Sequence, residues 1–180
     1  MEEEKANVDA SDITANDREV IQKLKEIFRE LNGTGEGKVF SQYSAIELSS
    51  INGNIAAYKE SLGEMFSRAQ RNVSIWEAYL KLRKVNEKDR LTVSLKEEAP
   101  DHKAPSVSKV NSEIEKLMFR DRLKLAFKEE FKEYVLYLWR TCNDYIGIIT
   151  TRIRVLESHR ADIHILDDGI QSLPDVQDYE

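Results

Sequence analysis

"LSSINGNIAAYKESLGEMFSRAQRNVSIWEAYL", residues 48–80, decides the fold. Its apolar positions are Leu48, Ile51, Ile55, Tyr58, Leu62, Met65, Ala69, Val73, Trp76 and Leu80, which step by three and four. That spacing is a heptad seam, one stripe of a long helix awaiting a partner. Its one irregularity, four residues from Ala69 to Val73, is a small phase adjustment and does not break the helix. Ser44 followed by Glu47 forms a capping-box signature near the start. The periodicity predicts a helix from about Ser41 to Val85 or Glu87.

A second apolar stretch, "YVLYLWRTCNDYIGIITTRIRVL" at residues 134–156, supplies the partner. Its seam reads Phe127, Phe131, Tyr134, Leu138, Cys142, Tyr145, Ile149, Ile153 and Leu156, within a helix expected from Val107 to Ser158 and capped by Ser106 or Ser108. Pro100 and Pro105 forbid one continuous helix, so the two elements are expected to fold back through a turn at about residues 86–106. Within that turn "RLTVSL" alternates enough for a short strand or an extended segment. The reading is an all-α protein, a long antiparallel, coiled-coil-like helical hairpin. Val135, Tyr137, Trp139, Ile146 and Ile148 lie on more than one side of their helix, leaving apolar surface for an N-terminal helix or another copy of the chain, and an oligomer is the favoured expectation.

Upstream, Val20, Ile21, Leu24, Ile27, Phe28 and Leu31 predict a short amphipathic helix over Asp17–Leu31 with Asn16 as N-cap. The expected organisation is an acidic disordered tail over 1–16, this helix and a Gly-rich linker over 17–40, the hairpin domain over 41–163, and an acidic C-terminal tail over 164–180.

The 180 residues are 41% hydrophobic and 33% charged, enough for one modest core. Seven Gly and three Pro are too few for a turn-dense β protein. The longest uncharged run, Leu48–Tyr58, is far short of the ~20 apolar residues of a membrane span. "MEEEKANVDASD" reads as neither a secretory signal nor a transit peptide, and one Cys permits no intramolecular disulfide, so a cytoplasmic location is expected.

The net charge of −6 conceals a polarised chain. Residues 1–20 hold seven acids and two bases, and residues 161–180 hold six acids and no base. Between Phe66 and Lys128, fifteen Lys or Arg face nine acids. A basic field of this kind binds phosphates, with acidic tails able to compete for it. The alternative is a solvated lysine-rich face with no ligand.

Enzymatic motifs fail on chemistry. "NGTGEGKV" has Asn32 where a P-loop needs its first Gly and Val39 where it needs Ser or Thr, and it follows a helix. Cys142 lies on the core stripe with no His at helical spacing, so it reads as a buried thiol. His159 and His164 are five residues apart and do not share a helical face, so no metal site is expected. Glu129, Glu130 and Glu133 beside Lys128 and Lys132 suit surface ion pairing. The chain is expected to be no enzyme and to need no cofactor.

Basic residues flank the turn on both sides, Arg68, Arg71, Lys81, Arg83, Lys84, Lys88 and Arg90 on the first long helix and Lys109, Lys116, Arg120, Arg122, Lys124 and Lys128 on the second, and the candidate binding residues are Tyr79 with all of these except Arg68 and Lys128. Folding back brings both sets to one end of the hairpin. Trp76, Tyr79 and Phe119 lie among them, and bases stacking on aromatic faces while cations track the backbone is a sequence-tolerant way to hold single strands. Trp76 itself also fits the core seam, and Tyr79 is the freer ring.

Over residues 45–163 the chain resembles the phage recombination mediators of the UvsY type. A heptad helix ending in "EAYLKLRK", a polar turn, and a second helix with "LWRTCNDYIGIITTRIRVLESHR" carry the likeness. The resemblance implies a homo-oligomeric helical protein that binds single-stranded DNA and helps load a RecA-like recombinase onto strands covered by a single-strand binding protein. By position, the family's DNA-contacting stretch falls on Lys81, Arg83 and Lys84. The extra N-terminal helix, the Pro-containing turn and the acidic C-terminal tail depart from the family pattern. The competing expectation is a coiled-coil adaptor that binds a protein through its surplus apolar face.

Overall fold

The computed structural model describes residues 13–33, 38–98 and 104–171, with side chains described as far as residue 160. Among these residues the fold is all-α: α1 spans Ala15–Leu31, α2 Ala45–Glu98 and α3 Val107–Gln171, with a 3-10 turn at Phe40–Gln42. No strand occurs among them. The two long helices pack against each other as an antiparallel hairpin, and the segments expected as acidic tails at 1–12 and 172–180 lie outside the described residues.

The helix ends follow local chemistry, with corrections to the expected boundaries. At α1 the cap is Thr14: Asp17 N–H donates to Thr14 Oγ1 at 3.1 Å and Thr14 N–H donates to Asp17 Oδ2 at 2.9 Å, leaving Asn16 inside the helix. This reciprocal pair satisfies two donors that a helix start otherwise orphans. Gly33, at φ +68°, closes the other end in a left-handed conformation suited to glycine, with its N–H donating to the Glu30 carbonyl at 3.0 Å. Ser44 and Glu47 cap α2 as expected. Ser106 caps α3, its Oγ accepting from Lys109 N–H at 3.2 Å.

Two boundaries move further. α2 continues to Glu98, so "RLTVSL" is helical, neither strand nor extended, and the connection is much shorter than 86–106. α3 continues to Gln171, through the first part of the segment expected as a tail.

The chain divides into two compact units. In the first, Leu62–Leu138 with the start of α1 through Arg18, the core is a two-helix seam. Leu62, Met65, Ala69, Val73 and Leu80 are buried on α2, and Val110, Ile114, Met118, Val135 and Leu138 on α3. Val135 therefore belongs to the seam and not to the surplus surface. Leu91, Leu95 and Leu125 pack on the cluster formed by Leu80, Val110, Ile114 and Met118. These leucines are why "RLTVSL" is helical: they sit four residues apart on the α2 core face, and helix is the conformation that buries both. Phe127, expected on the seam, is exposed, and Leu125 takes that place.

Asp17 also docks here. Its side chain is only 4% exposed and accepts from Arg68 Nη2 at 2.6 Å. Burial pushes its carboxyl up, but the Thr14 backbone hydrogen bond, the Arg68 hydrogen bond and the Thr14 hydroxyl outweigh it and hold the pKa below its ordinary value of 3.8. A carboxylate with a depressed folded-state pKa contributes stability above its unfolded pKa and loses it as pH falls through the folded one. Asp17→Asn is therefore expected to lower stability near neutrality and to flatten the decline in stability below about pH 4. Urea midpoints measured from pH 3 to 7 check this, and parallel curves for the two proteins would contradict it.

In the second unit, Glu19–Ser61 with the chain from Trp139 onward, α1 supplies a third helix. Val20, Leu24 and Leu31 of α1 are buried, as are Leu48 and Ile55 of α2 and Cys142 and Ile149 of α3. Each such side chain removed from water contributes about 1.5–3 kcal/mol. Phe28 stacks on Tyr145 with centroids 4.5 Å apart, and the Tyr145 hydroxyl donates to Asn32 Oδ1 at 2.7 Å. Asn52 Nδ2 donates to Thr150 Oγ1 at 3.5 Å, and Lys59 lies 4.9 Å from the Trp139 ring centroid. α1 thus covers apolar surface of α3 in this unit, while Ile148 remains exposed.

Cys142 is fully buried, and burial pushes its thiol up to about 11 against the opposing pull of Lys59. It is expected to resist alkylation at pH 8 in the folded protein and to react on unfolding, which a thiol titration with and without denaturant measures.

Candidate nucleic-acid interface

All the sequence-derived candidates fall in the first unit, but the structure does not gather them into one cluster. Its centre is Trp76, half-buried at the edge of the seam. Tyr79 meets it edge-on, with centroids 5.2 Å apart and planes at 78°. From α3, Lys124 Nζ lies 5.8 Å and Lys128 Nζ 5.6 Å from the Trp76 ring centroid. Tyr79 remains exposed. Two cations are thereby held against an indole face by its quadrupole, beside the exposed Tyr79 ring, whose hydroxyl accepts from Arg83 Nη1 at 3.5 Å.

Lys116, Arg120, Lys124 and Lys128 follow one another at four-residue steps on α3. In an α-helix that makes a single ridge, each cation about 6 Å from the next along the axis. Lys116 is paired with Glu113 at 2.7 Å, and Arg120 and Lys124 are exposed. On α2, Arg71 is exposed eight residues before Tyr79, about 80° around the helix from it. Lys109 is exposed in the first turn of α3.

Other candidates go elsewhere. Lys81, Lys84 and Lys88 are exposed, but at 100° per residue they point roughly 140–180° around α2 from Tyr79. Arg122 binds Glu115 through two contacts, one of them at 2.7 Å. Arg90 pairs with Glu87 at 2.8 Å.

Arg83 occupies the seam itself. Its guanidinium is ion-paired with Asp121 of α3 and lies 3.9 Å from Glu87. These three side chains are 29%, 14% and 17% exposed, so they form a partly buried ionic layer between the helices. Arg83, which the resemblance places in the DNA-contacting stretch, is engaged by carboxylates.

The sequence set Trp76 on the core seam and among the basic residues, but that Lys124 and Lys128 are the cations reaching it was not legible, because that depends on the register between the two helices. The four-residue spacing of the α3 cations was the available signal for the ridge.

Elsewhere, Lys38 of the Gly-rich linker is bound to Glu47 at 2.6 Å, and no group of His, Cys, Asp and Glu able to hold a metal ion occurs among the described residues. Among those residues no helix is long and apolar enough to cross a membrane. No protein-family model, curated protein or solved structure matches this chain.

Proposed function

We propose that this protein binds single-stranded nucleic acid, without catalytic activity, through the face formed by Tyr79, Trp76 and the Lys116–Lys128 ridge. The observation that carries the reading is the cluster of Lys124 and Lys128 against Trp76 with Tyr79 exposed alongside. Cations aligned along a helix neutralise successive phosphates, and an exposed ring gives an unpaired base a stacking surface, so the contact favours single strands over duplex. The biological setting is taken from the resemblance of "EAYLKLRK" and "LWRTCNDYIGIITTRIRVLESHR" to UvsY-type mediators. In it the protein is a cytoplasmic homo-oligomer, in the host cell if phage-encoded, that helps load a RecA-like recombinase onto DNA held by a single-strand binding protein.

Anisotropy of a labelled single-stranded oligonucleotide, with duplex as competitor, tests this at about 50 and about 200 mM salt. Steep weakening across that range with preference for the single strand is the expected result. Absence of binding at the lower salt would reject it. That outcome would favour the second reading, a coiled-coil adaptor, which the exposed Phe119, Leu123 and Tyr137 support.

A further inference from the structure

α3 carries a second stripe, on the side turned away from its seam. Phe119, Leu123, Phe127, Glu130 and Tyr137 share this side, and Tyr134, half-buried with its hydroxyl enclosed, marks the edge nearest the seam. The spacing is that of a helix–helix contact, yet in the first unit Phe119 is 65% exposed, Leu123 46%, Phe127 36% and Tyr137 63%. Side chains of these sizes leave roughly 450 Å² of apolar surface in water, at the scale of a functional patch on a monomer.

We propose that this stripe is a self-association surface, on which α3 of one copy docks antiparallel against α3 of a second, with the two-fold axis passing near Phe127. Antiparallel packing about that point sets Phe119 of each copy at the level of Tyr134 of the other, and the two Phe127 rings meet at the centre. The flanking charges choose the occupant and its direction. Arg122 and Glu133 are eleven residues apart, about three helical turns, and so share one flank of the stripe. In the antiparallel arrangement Arg122 of each copy reaches Glu133 of the other, twice by symmetry. In a parallel arrangement the flank that carries Arg122 and Glu133 would face the opposite flank of the partner helix, and the two side chains would not meet across the interface.

Within the chain Arg122 pairs with Glu115, and Glu133 with the half-buried Lys132 at 3.1 Å; Arg122, Glu115 and Glu133 are exposed, and weak pairs of this kind exchange readily. With its polar rim of Arg120, Arg122, Glu130 and Glu133, the stripe approaches the ~800 Å² that each partner contributes to a standard interface. The surface names the contact behind the oligomer reading above, and rests on that part of it alone.

Sedimentation equilibrium of the full chain, free of nucleic acid, tests the proposal. The wild type is expected to self-associate, and Phe127→Glu to raise the dissociation constant at least about tenfold. Helix content should be unchanged, and the thermal midpoint should match that of wild type diluted to monomer, because Phe127 lies off the seam. Arg122→Glu and Glu133→Arg should each weaken association, and the double variant should restore it. A wild-type monomer at all concentrations, or an oligomer indifferent to Phe127→Glu, overturns the proposal, as does a charge swap that fails to rescue. Single-strand affinity of the wild type, measured alongside, shows separately whether the nucleic-acid reading stands.

Discussion

Asp121→Ala is expected to destabilise the hairpin by about 2–3 kcal/mol, among the largest effects of any single polar substitution in this chain. The carboxylate is 14% exposed and holds Arg83 at the α2–α3 seam, so its removal leaves a guanidinium facing the core with only Glu87, 3.9 Å away, to balance it. Leu80 and Leu91 bound the layer along α2, the first buried and the second packed on the same cluster, so water does not fully replace the lost partner. Substituting both members, Arg83→Leu with Asp121→Leu, is expected to recover most or all of the loss, since apolar side chains fill the layer without desolvation cost. Urea unfolding at unchanged m-value reads both effects. Equal stability of Asp121→Ala and wild type would mean that the pair is solvated and does no structural work.

Tyr79→Ala is expected to weaken single-strand binding by about 5- to 100-fold, the equivalent of one lost base stack. The motive is its exposed ring against Trp76, where a base has room to stack. Lys124→Ala should weaken binding to all sequences alike and lower the salt slope by about one. Lys81→Ala with Lys84→Ala, on the other flank of α2, should do less than Lys124→Ala alone. Anisotropy titrations of the three proteins at several salt concentrations decide the matter. A larger loss from the Lys81 and Lys84 pair would move the interface to that flank, where the resemblance to UvsY-type proteins puts it. Arg83→Ala is expected to act through stability, because its charge is already engaged by Asp121.

These two sites also show where the sequence was readable. The seam from Leu48 to Leu80 is a heptad run with one phase adjustment at Ala69–Val73, and the structure buries it or half-buries it throughout. Beyond Leu80 the next seam positions are Arg83 and Glu87, whose charges hide the periodicity that Leu91 and Leu95 resume. The helix therefore read as ending near Glu87, and "RLTVSL" as extended. On α3 the same thing occurs at Asp121 and Lys128, which interrupt the row from Val110, Ile114 and Met118 to Val135. A polar layer is invisible to hydrophobic periodicity until its partner across the seam is known.

The sequence by itself determined the all-α class, the hairpin, the cap at Ser44 and the basic character of the middle segment, and it narrowed the α3 cap to Ser106 or Ser108. Backbone propensity, heptad spacing and net charge are properties of one strand of chain, and each can be counted along it. Only the tertiary structure decided which cations serve the candidate interface and which are engaged elsewhere. It bound Arg83 to Asp121, 38 residues away, and Arg68 to Asp17, 51 residues away, and it set Lys124 and Lys128 against Trp76. Each of these pairings depends on the register between helices, which is fixed where α1 and α3 pack on α2 and which no single helix encodes.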